Sequence, residues 1–127
     1  MSEILIAGIG SPHGADRLGW AVIDALRQRN LPQPVRLASC AQPGELSVLL
    51  LEATHAIVLD AMLGSGPHGI GLREAIRLAA ALGFEPDRLS LIALDVVEAE
   101  AALELSWIEA LADEACRHLF DLQRQEG

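Results

Sequence analysis

Two carboxylates and an imidazole stand in this 127-residue chain where apolar runs give way to glycine-rich sequence. Asp16 follows Ile4-Leu5-Ile6-Ala7-Gly8-Ile9-Gly10-Ser11-Pro12-His13-Gly14, and Asp60 closes the run Ala56-Ile57-Val58-Leu59. His68 lies in Gly64-Ser65-Gly66-Pro67-His68-Gly69, which reads as a loop. Oxygen and nitrogen donors in this combination suit a divalent first-row metal such as nickel, zinc or manganese, with positions left open for a further ligand. In α/β folds the carboxyl ends of neighbouring parallel strands open onto one crevice, where ligands bind. Three loops at that edge could therefore bring the three donors to one point. Each residue also has a plainer reading. Asp16 suits the start of a helix, where a carboxylate complements the macrodipole and caps free N–H groups. His68 also reads as an ordinary loop histidine. Asp60 is harder to set aside, because a carboxylate ending a buried strand needs a compensating partner. His13 is a fourth candidate ligand by its nearness to Asp16, or else a turn residue. His55 and His118 are assigned no role.

Other chemistries fit less well. Gly8-Ile9-Gly10 with Gly14 beyond loosely resembles a dinucleotide loop, in which glycines let N–H groups approach a pyrophosphate. The third glycine is misplaced, Pro12 removes a donor, and the second strand ends Ala38-Ser39-Cys40 without a ribose-binding acid. Ser11 and Ser65 lack the G-x-S-x-G elbow of a serine hydrolase, and Cys40 has no nucleophile signature. Cys40 and Cys116 form no CxxC pair and read as small buried or half-buried apolar residues.

The elements needed to position these residues are legible as alternating patterns. Ile4 to Ile9 reads as a buried first strand. Leu18, Val22, Ile23 and Leu26 repeat at helical spacing, and the segment Asn30 to Pro34 stops that helix. Val35 to Ser39 is a second strand. Pro43 to Ala53 is a helix with proline in its first turn and Leu46, Leu49 and Leu50 on one face. His55 to Leu59 is a third strand. Leu72 to Leu82 is a helix closed by Gly83 at C′, and Leu89 to Leu94 is a fourth strand. Asp95 to Glu104 is ambiguous, and Ser106-Trp107-Ile108-Glu109 fits a capping box opening a last helix towards Gln123. The expected fold is a three-layer α/β/α sandwich, one domain over residues 1–127, with a mainly parallel sheet of about four strands.

Composition narrows the partners. The chain is 51% apolar and carries a net charge of −9, with nine arginines and no lysine. That balance argues against a nucleic-acid partner, which calls for clustered basic residues. No run reaches the ~18 to 20 apolar residues of a membrane span, and Met1-Ser2-Glu3 lacks the basic start of a signal peptide. A soluble cytoplasmic protein is expected, without a membrane partner.

On these residues the chain resembles the endopeptidases that mature the large subunit of nickel-iron hydrogenases. Gly8-Ile9-Gly10-Ser11-Pro12 and Gly14-Ala15-Asp16-Arg17-Leu18-Gly19 are similar to that family's opening strand, G-N-P-type loop, acidic pair and V-G. Asp60-Ala61 matches its Asp-Ala pair at the end of the central strand. His68-Gly69-Ile70-Gly71-Leu72-Arg73-Glu74-Ala75 matches its histidine segment, and Leu105-Ser106 its late pair before the last helix. The resemblance implies an endopeptidase that removes a C-terminal extension from a nickel-loaded large-subunit precursor. Asp16, Asp60 and His68 would contact nickel supplied by that precursor, with Asp16 or Asp60 orienting a water and no organic cofactor.

The chain also departs from the pattern. Ala15 replaces the first acid of the pair, Ser11 replaces Asn, and the spacing before Gly14 is one residue short. Asp60 and His68 lie much closer together than in the family, as if a strand and turns were missing between them. A Pro67-His68-Gly69 turn with the family histidine lost is therefore an open alternative. Two other functions also stay open: a non-proteolytic metal-binding or hydrogenase assembly protein that keeps the recognition site, and a peptidyl-tRNA-hydrolase-like enzyme with a similar opening.

Overall fold

The computed structural model describes residues 3–10, 17–29, 31, 35–60, 67–93 and 105–126. Strand β1 spans Ile4–Ile9 and is buried at every position, which explains its unbroken apolar sequence. It is followed by α1 (Arg17–Arg27), β2 (Val35–Cys40), α2 (Pro43–Glu52), β3 (His55–Asp60), α3 (Pro67–Ala81), β4 (Leu89–Ala93) and α4 (Leu105–Glu126). The four strands form one sheet in the order β2-β1-β3-β4, and every pairing is parallel. Ile9 lies opposite Cys40 on one side and Asp60 on the other, so three strand ends are level at the carboxyl edge. The expected parallel four-stranded sheet is what forms.

Because strand side chains alternate between faces, the central strands feed two separate cores. Ile4, Ile6, Ile57 and Leu59 join Leu18, Val22, Ile23 and Leu26 of α1 and Ala112, Ala115 and Leu119 of α4. Leu5, Ala7, Ile9, Ala56 and Val58 join Leu46 and Leu50 of α2 and Ala79 of α3 on the other face. Helices thus cover both faces, giving the three layers read from the sequence. Arg29, just beyond α1, joins α1 to α4 through Glu109 at 2.6 Å and Asp113 at 2.7 Å. Exposed pairs of this kind contribute little individually, and the buried apolar contacts carry the packing.

The helix ends follow local rules. Pro43 occupies the first turn of α2, and the Ala53 N–H closes its last turn on the Leu50 carbonyl at 3.1 Å. Gly83 takes a φ of +119°, and the Phe84 N–H reaches the Ala79 carbonyl at 2.9 Å while the Gly83 N–H reaches Ala80 at 3.2 Å. This is the Schellman pattern expected of a C′ glycine, with Phe84 buried below it. Two expectations shift. Helix α3 begins at Pro67, so His68, Gly69 and Gly71 are helical rather than part of a loop. Proline pre-sets the first turn, and docking of α3 beside α2 outweighs the ~1 kcal/mol that each glycine costs a helix. Helix α4 begins one residue before Ser106 and runs to Glu126. The ambiguous stretch from Asp95 to Glu104 lies outside the described residues.

One contact needs glycine on both sides. A Cβ on Gly8 would stand 2.5 Å from the Gly19 carbonyl oxygen and 2.8 Å from Ile23 Cγ1. A Cβ on Gly19 would stand 2.9 Å from the Ile9 carbonyl oxygen and 3.2 Å from that of Leu59. Helix α1 therefore lies backbone to backbone on the ends of β1 and β3. Replacing Gly19 by Ala gains helix propensity of up to ~1 kcal/mol, but the clash is with backbone that cannot rotate away. Gly8→Ala and Gly19→Ala should each destabilise by about 1–3 kcal/mol net. Gly44→Ala, which meets open space in α2, should be neutral or stabilise by up to ~1 kcal/mol. Denaturant unfolding of the three variants checks this ordering.

Candidate functional site

The strand order has a switch point between β1 and β3. Strand β1 is followed by α1 on one face, whereas β3 is followed by α3 on the other. Connections that depart to opposite faces leave a crevice outside the carboxyl ends of the two strands, the usual ligand position in open α/β sheets. Gly19 holds α1 close over this edge, against Ile9 and Leu59. Asp60 is the last residue of β3, directly following Leu59 and level with Ile9 and with Ala93 of β4. Its backbone is thus at the switch point.

The remaining candidates are placed less completely. His68 is the second residue of α3, whose N-terminus follows β3 at the same edge. Asp16 and His13 lie outside the described residues, Asp16 immediately before the first residue of α1. No group of three His, Cys, Asp or Glu side chains poised for a metal occurs among the described residues. His55 opens β3 at the opposite end of the strand from Asp60, and His118 is half-buried on α4.

A second feature of the edge has no signal in the sequence. The carbonyl of Cys40, at the end of β2, accepts both the Gly10 N–H at 3.0 Å and the Trp20 indole N–H at 3.1 Å. Trp20 is twenty residues from its partner, so local periodicity gives no hint of the bond. The Gly10 amide is thereby committed, and the space above Gly8 is filled by α1. Both facts tell against a phosphate-cradling loop here. Cys40 is buried, and its thiol is pushed up to about 11, first by burial and then by the Glu45 carboxylate. A thiol held neutral in this way is a poor nucleophile at neutral pH, as the plain reading of Cys40 requires. Cys116 is half-buried, with its Sγ 3.7 Å from Arg29 Nη1.

No family model and no curated protein matches the sequence. Solved structures do match its fold. The hydrogenase-maturating endopeptidase HybD of Escherichia coli aligns with a TM-score of 0.74 at 22% identity, over 100% of this chain and 94% of that one. An endopeptidase from Escherichia coli determined in solution gives a TM-score of 0.74 at 23% identity, with 100% and 94% covered. The hydrogenase 2 maturation peptidase of a Thaumarchaeota archaeon gives 0.59 at 22%, covering 96% of this chain and 98% of that one. The chain has the fold of the hydrogenase maturation endopeptidases. Among the described residues no helix is long and apolar enough to cross a membrane.

The raised Cys40 thiol has a measurable consequence. Because its proton is held more tightly in the folded than in the unfolded chain, the associated stability is present below about pH 9 and lost as pH rises through about 11. Urea titrations across that window should show the loss in the wild type and a flatter profile in Cys40→Ala. In a thiol-labelling experiment at pH 8, native protein should react at Cys116 well before Cys40, with both reacting once it is unfolded.

Proposed function

We propose that this chain is a hydrogenase maturation endopeptidase that removes a C-terminal extension from the large-subunit precursor of a nickel-iron hydrogenase. The observation that carries the reading is Asp60 at the carboxyl end of β3, on the switch point of a fold that solved maturation endopeptidases share. The residue matches, Asp60-Ala61 and the segment from His68 to Ala75, add to it. In this reading Asp60, His68 and Asp16 contact the nickel of the precursor, which is part of the substrate. Chain connectivity favours the third: Asp16 is three residues from Gly19, so their Cα atoms are within about 11 Å, and Gly19 lies against the Leu59 carbonyl. A metal-polarised carbonyl beside a carboxylate that orients water is a sufficient arrangement for peptide hydrolysis. Soluble, cytoplasmic action on a folded precursor accords with it.

Incubating the protein with a nickel-loaded precursor and following the precursor's mass tests the proposal. Loss of a C-terminal fragment is expected. Asp60→Asn should slow cleavage by about 100-fold or more, the usual scale for removing a catalytic carboxylate. His68→Ala should abolish nickel-dependent recognition while moving the melting temperature by less than about 3 °C. Cleavage undiminished in His68→Ala would take this histidine out of the site and favour the alternative in which the family histidine is lost. A stable complex without mass loss would instead identify an assembly protein that keeps the recognition site, the outcome to which Ala15, in place of an acid, gives weight.

A further inference from the structure

The half-buried ring of Trp20 is not needed by the core. Helix α1 buries Leu18, Gly19, Val22, Ile23 and Leu26 against the sheet, and these complete its inward face. Trp20 is turned instead to the end of β2, where its N–H is anchored on the Cys40 carbonyl. Two donors converge on that carbonyl, so the indole is fixed to the ends of both β1 and β2. The chain has only two tryptophans, and this one is half-buried, with its polar atom satisfied at the carboxyl edge. An aromatic side chain in that state presents a rigid apolar surface, and covering it leaves no donor stranded. Tryptophans of this kind are over-represented among the anchors of peptide and protein interfaces.

Its distance from Asp60 follows from the sheet. Cys40, Ile9 and Asp60 form one level row across β2, β1 and β3, and neighbouring strands are 4.7–4.9 Å apart, so Cys40 and Asp60 are separated by about 10 Å. An extended peptide covers that in about three residues at ~3.3 Å each. Resting on the endopeptidase reading above, we infer that Trp20 is a specificity-determining residue that receives an apolar side chain of the peptide substrate, about three residues from the position at Asp60. The ring contributes contact with the substrate rather than with the reacting bond. Its loss therefore weakens binding and leaves the chemical step unchanged.

The experiment labels a Trp107→Phe background with 5-fluorotryptophan, so that the fluorine signal reports Trp20 alone even beside another protein. Adding excess unlabelled nickel-loaded precursor should shift the Trp20 fluorine resonance and reduce its broadening by a soluble paramagnetic probe. In cleavage assays Trp20→Ala should raise KM about tenfold with kcat unchanged, the scale of a lost interface anchor. Trp20→Phe, which keeps an apolar ring, should retain most of the affinity. A precursor that co-elutes with the protein while Trp20 stays as accessible as before overturns the subsite alone. A fall in kcat at constant KM does the same, because it makes Trp20 a residue that only holds α1 in place. Failure of the wild type to bind or cleave the precursor at all overturns the endopeptidase reading, and the subsite with it. The fluorine measurement keeps the Trp20 side chain, so it tests the subsite even if Trp20→Ala fails to fold.

Discussion

The architecture of the carboxyl edge depends on the approach of Gly8 to Gly19. Strand β1 and helix α1 meet there with no side chain between them, closely enough that a single methyl group on either partner would press on the other's backbone. Interiors of this density do not absorb an extra methyl without moving a whole element. Moving α1 would lift it from the Ile9 and Leu59 carbonyls and carry Trp20 away from Cys40. The pair of glycines thus sets the height of α1 over the carboxyl edge at which β3 ends in Asp60.

The rest of the fold supplies the switch point that this contact borders. Even and odd positions of β1 and β3 feed different cores, one shared with α1 and α4 and the other with α2 and α3. The helices after β1 and β3 lie on opposite faces and help to cover both. The site is in this sense a consequence of burial. Open α/β sheets place their ligands outside such a switch point, and Asp60 ends β3 there. Net charge plays a different part. With a charge of −9 and no lysine, the chain has little to attract an anionic polymer. Arg29 joins α1 to α4, and its guanidinium is held charged by Glu109 and Asp113.

The candidate site is partly legible without any knowledge of the fold. Asp60 can be placed because a buried strand and a terminal carboxylate are both local features, and β3 ends where the sequence says it should. His68 does follow that strand, but its setting differs from the expected loop. Glycines on both sides suggest a loop, whereas Pro67 opens a helix stabilised by packing beside α2. Asp16 falls outside the described residues, so its convergence with Asp60 rests on chain connectivity and on the resemblance. Trp20 carries no signal at all, since its partner is twenty residues away and belongs to another strand.

By itself the sequence determined the elements apart from the start of α3: which segments are strands, which are helices, and where Pro43 and Gly83 begin and end them. Those choices depend on periodicity, capping and backbone preference, which act over a few residues. Only the tertiary structure decided that β1 lies between β2 and β3, bringing Ile9 level with Cys40 and Asp60, residues 31 and 51 positions further along. It also decided that Gly8 meets Gly19 rather than a phosphate. Apolar runs state that a strand must be buried without stating beside which strand. That selection is made by how two cores pack at once on either side of one sheet.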